Sequence, residues 1–174
     1  VAVAAQETWP PPAPLPPPKT RPGTHVPKTL PAIVMHLPRG GDHEKSIIVA
    51  PNASFSLCVI EGLLRVNGWK RNEIRVFIKG GSNVGFKVLE RLPDQQPVWL
   101  MATGYDQKRV NKAFPECIWG EEIEIDMPEG ASIGIKGQET RTVVDRVKKA
   151  SVKNVAGSIV VRNVSSGVSA LTYE

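Results

Sequence analysis

Long hydrophobic runs are missing from this sequence of 174 residues. No apolar segment approaches the roughly 18 residues that a membrane-spanning helix needs, so the sequence predicts no membrane helix. The two cysteines, Cys58 and Cys117, are too few for a disulfide-rich scaffold or for a four-cysteine zinc site. The three histidines, His25, His36 and His43, have neither the spacing of a metal-binding pair nor a cysteine nearby, so we expect no metal site.

Residue patterns of known catalytic chemistry are also scarce. The glycine-rich segment Gly80–Lys87 resembles a phosphate-binding loop, but Phe86 stands where such a loop has its lysine, and a hairpin turn fits better. Lysine and arginine form no stripe interleaved with aromatic residues, which argues against a nucleic-acid partner. The sequence therefore predicts no enzyme, with no catalytic residues and no cofactor.

Proline is abundant and unevenly placed. Eleven of the 16 prolines lie in the first 40 residues, where the sequence includes WPPPAPLPPPKTRP. Proline fixes φ and removes a backbone donor, so this segment predicts an extended polyproline II spacer. We expect a proline-rich tail over residues 1–40 and a folded body over 41–174. A stalk is the favoured role of the tail, and a ligand for a proline-binding module is the alternative.

The first residues, VAVAAQ, resemble the end of a secretory signal peptide. Together with the spacer, they predict an exported protein of the periplasm, cell envelope or cell surface. Export would permit a disulfide between Cys58 and Cys117. Two separate buried thiols remain an equal alternative, because the sequence does not show whether the two Cβ atoms approach each other.

The body alternates polar and apolar residues with a period of two. The clearest case is Glu122–Met127, whose alternation predicts a strand with its carboxylates in water. A short helix over Asp106–Phe114 is the one helical candidate, so the predicted class is all-β. The other candidate strands are rich in β-branched residues and are separated by Gly, Asn, Pro and Asp. They are Ser46–Ala50, Ser54–Ile60, Leu63–Asn67, Glu73–Lys79, Gly85–Glu90, Val98–Thr103, Ala131–Lys136, Thr140–Val144, Ala150–Val155, Ser158–Asn163 and Val168–Thr172.

The last third of the chain contains a short repeat. The segment KNVAGSIVV is followed directly by RNVSSGVSA, an offset of nine residues that aligns Asn154 with Asn163 and Ile159 with Val168. A short repeat of one strand and one turn is typical of a β-solenoid or β-helix, whose coils pair their backbones with the coils on either side. The hypothesis requires Ile159 and Val168 to occupy equivalent positions. An antiparallel meander with similar turns is the alternative.

The repeat also predicts turn or ladder positions at Asn154, Asn163, Gly157 and Gly167. Asparagine tolerates the left-handed conformation and bonds its own backbone, which suits a turn. The two asparagines would also be placed to stack as a ladder of side chains. The stack would have an open C-terminal edge, which predicts either a continuation of the chain or self-association with another subunit.

Three segments together resemble the bacterial putative-adhesin family, whose repeated short β-strands are related to the head domains of auto-transporter-like adhesins. The segments are Glu61–Val76, Ile123–Ile135 and Ala150–Thr172. Gly157 and Gly167 match the repeat glycine of the family, although the small acid that usually follows it is replaced here by serine and valine. The Gly-Trp at positions 68 and 69 matches a dipeptide common after the first strand of the family.

The resemblance covers roughly residues 45–174. It implies a β-solenoid exported to the cell envelope or surface. The matching residues specify turns and inward faces, so the family pattern implies no binding residues for this chain.

Two sets of surface residues are candidates for ligand binding. Trp69, Trp99 and Trp119 would line a sugar platform if they were exposed on one face, whereas in a pure scaffold they would be buried. The carboxylates of the strand at Glu122–Met127 would suit calcium, but a solvated acidic face is the favoured explanation.

From the sequence we therefore expect a non-enzymatic adhesin-like protein that presents a β surface to a protein or to surface glycan. A carbohydrate-binding module, or a carbohydrate-active β-helix protein, is the alternative.

Overall fold

The computed structural model describes residues 41–105 and 116–173. These residues form ten strands and no helix long and apolar enough to cross a membrane. The candidate helix Asp106–Phe114 and the proline-rich tail lie outside the described residues. The strands are β1 His43–Ile48, β2 Ser54–Trp69, β3 Glu73–Lys79, β4 Asn83–Arg91, β5 Pro97–Tyr105, β6 Glu122–Pro128, β7 Ser132–Asp145, β8 Lys149–Ala156, β9 Ile159–Arg162 and β10 Gly167–Thr172.

The strands form one mixed sheet that branches at its two long strands. The first halves of β2 and β7 belong to a first arm, in the order β4–β5–β2–β7–β8–β10. Their second halves belong to a second arm, in the order β1–β3–β6–β2–β7–β9. Pairing is parallel from β2 through β7 to β8, β9 and β10, and antiparallel in β1–β3, β3–β6 and β4–β5. The all-β class is confirmed for the described residues.

Glycines mark the bend between the two arms. Gly62, within β2, has a φ of 128°, and Gly157, after β8, has a φ of 103°. Both values lie in a region that side chains strongly disfavour. A Cβ on Gly157 would also overlap the backbone carbonyl of Thr140, the residue at the bend of β7. Glycine therefore lets the neighbouring strands turn together without colliding.

Alternate residues of both arms face one shared hydrophobic core. Buried positions follow the period of two in β2, β3, β6, β7 and β8, and they form a single cluster. Its largest fully buried members are Phe55, Leu64, Ile74, Ile78, Leu100, Ile118, Ile123, Ile125, Met127 and Ile135. Each such side chain contributes roughly 1.5–3 kcal/mol by leaving water, which holds the arms against each other.

Paired residues of the parallel strands β7, β8 and β10 are separated along the sequence by nearly twice the nine-residue offset of the repeat. Ile133 pairs with Ala150, and Ala150 pairs in turn with Val168. The expected equivalence of Ile159 and Val168 is wrong, because Ile159 pairs with Thr142 in the second arm. The physical reason is that the chain passes through both arms before it returns to a neighbouring position. The short repeat in the sequence therefore relates positions about half a pass apart, Ile159 in the second arm and Val168 in the first.

Candidate interaction surfaces

The strand β10 forms an open edge of the first arm. In the described part of the chain it pairs with β8 alone, and its residues other than Gly167 are exposed. Several large apolar side chains between the end of β8 and residue 173 are exposed. Val155, Val160, Val168, Leu171 and Tyr173 are each at least 41% exposed. We call the free side of β10 the open edge.

The open edge continues the pattern of the core without being covered. Val168 pairs with Ala150 and Ala170 pairs with Val152, and both residues of β8 are completely buried. Paired residues of adjacent strands share a face, so Val168 and Ala170 belong to the inward row. Val168 is nevertheless 54% exposed, because no strand lies beyond it in the described residues. An incoming strand would bury this row.

A small buried polar group lies beside the bend. The Asn154 amide nitrogen donates to the Thr140 carbonyl at 3.1 Å and to the Thr142 hydroxyl at 3.4 Å. The side-chain carbonyl of Asn154 has no partner among the described residues, although Asn154 is completely buried. These contacts join β8 to the second half of β7 through the interior, so Asn154 acts within a strand and not in a turn.

Asn163 occupies a different environment from Asn154. It follows β9 with a φ of 53°, is exposed, and donates its amide to the Asp145 carboxylate at 2.6 Å. The register places Thr172 beside Asn154, so the two asparagines do not stack on each other. Asn163 therefore lies in a turn, as predicted, but Asn154 and Asn163 do not form a ladder of stacked side chains.

The two repeat glycines also differ. Gly157 has the positive φ and the close backbone contact already described. Gly167 begins β10, and a Cβ added there would meet nothing within 4 Å. Only the first of the two positions therefore requires glycine for its conformation.

A disulfide joins Cys58 to Cys117, with a Cα–Cα distance of 4.6 Å. Cys58 lies in the first half of β2, and Cys117 precedes β6. The backbone supports the same contact: the Ile118 amide donates to the Cys58 carbonyl at 2.9 Å, and the Ile60 amide donates to the Ile118 carbonyl at 2.9 Å. The bond therefore fixes the segment before β6 against β2.

The three candidate tryptophans are not on one platform. Trp99 lies in β5 and is 47% exposed. Trp69 is half-buried at the end of β2, where its indole nitrogen donates to the Glu73 carbonyl at 2.8 Å and the Arg71 guanidinium lies 5.0 Å from the ring centre. Trp119 is half-buried, and its backbone amide donates to the Ser82 hydroxyl at 3.2 Å. Trp99 is thus the tryptophan best placed to meet a ligand.

The outward side of the first arm around Trp99 carries small residues and lysines. Register pairing arranges them in three rows, two that cross the strands from β5 to β10 and one that crosses from β2 to β10, and we call these rows the serine–lysine face. The rows are Trp99–Ser54–Ser132–Lys149–Gly167, Met101–Ser56–Gly134–Ser151–Ser169 and Cys58–Lys136–Lys153–Leu171. Aspartate and glutamate do not occur in these rows, but on the next strand, β4, the exposed Glu90 is the register partner of Trp99. This face was not identified from the sequence.

The outward side of the second arm is mixed in charge. Arg75 donates to Glu44 at 3.0 Å and to Asp126, and these hydrogen bonds, with Glu44 the larger effect, raise the pKa of Arg75 above its usual value. The other two carboxylates of β6 also have cations in register, with Lys79 beside Glu122 and Arg65 beside Glu124. Within the described residues, no group of three His, Cys, Asp or Glu side chains is arranged to hold a metal ion.

A hollow of about 570 Å³ lies over the bend, beside the turn between β8 and β9. Its lining residues are Glu139, Thr140, Arg141, Ala156, Gly157 and Ser158. The hollow is wide open, and its charged side chains come from β7 alone. It offers a single carboxylate, whereas acid–base hydrolysis of a glycosidic bond uses two facing ones.

Comparisons with known proteins give little further information. Neither the models of known protein families nor the curated proteins give a match. One solved structure that matches is the crystal structure of a putative cell adhesion protein from Clostridium sporogenes, with 13% identity and a TM-score of 0.39. The alignment covers 64% of this chain and 57% of that chain, so this chain spans little more than half of its length. At this TM-score the similarity carries no argument.

Proposed function

We propose that this protein is a non-enzymatic, adhesin-like protein of the bacterial cell envelope or surface, and that it works by binding other molecules on its β surface. The observation that carries the proposal is the open edge, where Val168 of the inward row is 54% exposed. A free strand edge offers both unpaired backbone groups and uncovered core positions, and such edges bind by accepting another strand.

The partner that fits the open edge best is a second copy of this chain. Two antiparallel β10 strands centred on Ala170 would place Val168 of each copy opposite Thr172 of the other. These positions all belong to the inward row, because their partners in β8 are buried. The symmetric pairing would therefore extend the hydrophobic core of each copy into the other. A two-fold dimer uses the same self-complementary surface on both copies, and β10 offers such a surface.

Two further features support parts of this proposal. The nine-residue repeat is not one coil, because Ile159 and Val168 are not equivalent, but the successive parallel registers support a short β-solenoid with a coil of about twice that length, built from β2, β7, β8, β9 and β10, with β3 to β6 inserted between its first two coils. The Cys58–Cys117 disulfide supports export, since disulfides persist mainly in oxidising compartments. Both are proposals that agree with the resemblance to the adhesin family.

Analytical ultracentrifugation over a wide range of protein concentration tests the open edge. We expect the full chain to dimerise and Val168→Lys to remain monomeric, because the lysine would charge the inward row. Val160→Lys is the matched control: Val160 is 48% exposed, but it points outward in β9. A monomeric wild type, or a Val168→Lys variant that dimerises like the wild type, would contradict the proposed partner.

Glycan binding is the second candidate function. The observation that favours it is Trp99, which is 47% exposed on a strand of the first arm. An exposed aromatic ring in a small β protein is a common contact for the apolar face of a ligand. The platform of three tryptophans expected for this function is not formed, so the binding would have to use the residues around Trp99.

A further inference from the structure

We propose that the serine–lysine face binds a carboxylated polysaccharide, one rich in uronic acids, with Trp99 stacking on a sugar ring and Lys136, Lys149 and Lys153 pairing with its carboxylates. This inference rests on the second candidate function, glycan binding, and names its ligand class. It is independent of strand addition at the open edge, which uses different groups of the protein.

In the first row of the face, an aromatic ring and a cation lie three strands apart. Trp99 pairs with Ser54, Ser54 with Ser132, and Ser132 with Lys149. Adjacent strands lie about 4.8 Å apart, so the backbone positions of Trp99 and Lys149 are about 14 Å apart. Only short serine side chains stand between the two residues. A sugar chain could therefore contact the ring and the ammonium group at the same time.

The lysines of the third row are placed as a pair. Lys136 and Lys153 are register partners on the adjacent strands β7 and β8, and both are exposed. Neither forms an ion pair with another described residue, and their row contains no aspartate or glutamate; the nearest carboxylate in register with the face is Glu90, beside Trp99 at the far end of the first row. Like charges in register destabilise a sheet, so the arrangement has a cost that an anionic ligand would relieve. Lys149 lies on β8 about 13 Å from Lys153 and extends the positive region.

Hydroxyl groups fill the space between the ring and the lysines. Ser54 and Ser169 are exposed, and Ser132 and Ser151 are half-buried. A serine hydroxyl both donates and accepts hydrogen bonds, which matches the alternating donors and acceptors of a sugar. Ser56 is already engaged, since its hydroxyl donates to the Leu100 carbonyl at 3.3 Å. The face thus combines ring, hydroxyl and cation contacts.

The distribution of charge favours an acidic polysaccharide over a nucleic acid. A nucleic-acid strand carries a phosphate about every 3.4 Å and would need cations along the whole row from Trp99 to Lys149. The portion from Trp99 to Ser132 has none, and the face contains lysines without arginine, the residue best suited to phosphate. A polymer with carboxylates separated by neutral ring faces and hydroxyls fits the observed order.

Oligogalacturonate, with its methyl ester as the uncharged match, is the probe for this proposal. Isothermal titration calorimetry with the full chain should show binding of the acid that weakens with salt, and much weaker binding of the ester. Trp99→Ala should lower the affinity about tenfold, a typical loss for an aromatic contact. The double variant Lys136→Ala/Lys153→Ala should lower it about three- to tenfold and reduce the salt dependence. The control Lys79→Ala, an exposed lysine of the second arm, should bind as the wild type does.

Several outcomes would overturn the proposal. Failure of oligogalacturonate to bind would reject this ligand class at the face. Equal binding of acid and ester, still lost in Trp99→Ala, would reject the charge requirement and leave glycan binding in place. Equal binding of a DNA oligonucleotide, unchanged in Trp99→Ala, would show a general attraction of anions. Val168→Lys, measured in parallel, should bind the probe as the wild type does, which separates this site from the open edge.

Discussion

Replacing Gly157 by alanine should destabilise the protein strongly. The residue lies after β8 with a φ of 103°, and an added Cβ would overlap the carbonyl of Thr140. The substitution therefore combines an unfavourable backbone conformation with a collision against a strand that is itself packed on the core. The neighbouring chain cannot easily move away, because Asn154 donates to the same Thr140 carbonyl from the interior.

The expected loss follows from these two contributions. A side chain held in a sparsely populated backbone region costs about 1–3 kcal/mol. Forcing extra volume into a packed site costs about another 1–3 kcal/mol. Alanine returns about 0.4–1 kcal/mol by reducing the entropy of the unfolded chain. The net loss is roughly 1–6 kcal/mol, which lowers the melting temperature by on the order of 10 °C for a domain of this size.

Gly167→Ala is the matched control for this prediction. A Cβ at Gly167 meets nothing within 4 Å, and its φ is not positive, so we expect a change within about 0.5 kcal/mol. Urea unfolding of the full chain, followed by tryptophan fluorescence, measures both variants. If Gly157→Ala proved as stable as Gly167→Ala, the account of the bend as a contact that only glycine allows would be refuted.

Three further substitutions test other parts of the structure. Replacing both Cys58 and Cys117 by alanine should lower the free energy of unfolding by up to about 4 kcal/mol for the 59-residue separation, measured by urea unfolding against the oxidised wild type. Ile125→Ala should cost about 2–5 kcal/mol in the same assay, because Ile125 is completely buried in the shared core. Arg75→Met should cost no more than about 1 kcal/mol, and the difference should shrink in 1 M salt, because its ion pairs are partly exposed.

Period-two alternation was sufficient to predict most strands. Glu73–Lys79 was predicted with the bounds that β3 has in the structure, and the alternation of Glu122–Met127 is that of β6. This success has a local cause, since each strand has one buried and one solvated face and its sequence records both. Strand ends differed by a few residues, as at β1, which is His43–Ile48 in the structure and was predicted as Ser46–Ala50.

The bent strands could not be recognised from local pattern. The candidates Ser54–Ile60 and Leu63–Asn67 are one strand, β2, because Gly62 bends the chain without ending its pairing. The same holds for β7, which joins two candidates across positions 137–139. A glycine between two alternating runs predicts a turn and a bend equally well. Only the partner strands, which are distant in sequence, decide between them.

The candidate sites depend on register, which explains what the sequence did and did not indicate. Alternation alone places Lys136 and Lys153 on outward faces of two separate strands, with no sign that they are neighbours. The parallel pairing of β7 with β8 brings them side by side, and the pairing of β2 with β5 brings Trp99 to the same side. The same registers place Val168 in the inward row, where no described strand covers it. Both proposed surfaces therefore follow from the parallel register of the strands: it brings isolated lysines into one charged row, and among the described strands it leaves the inward row of β10 uncovered.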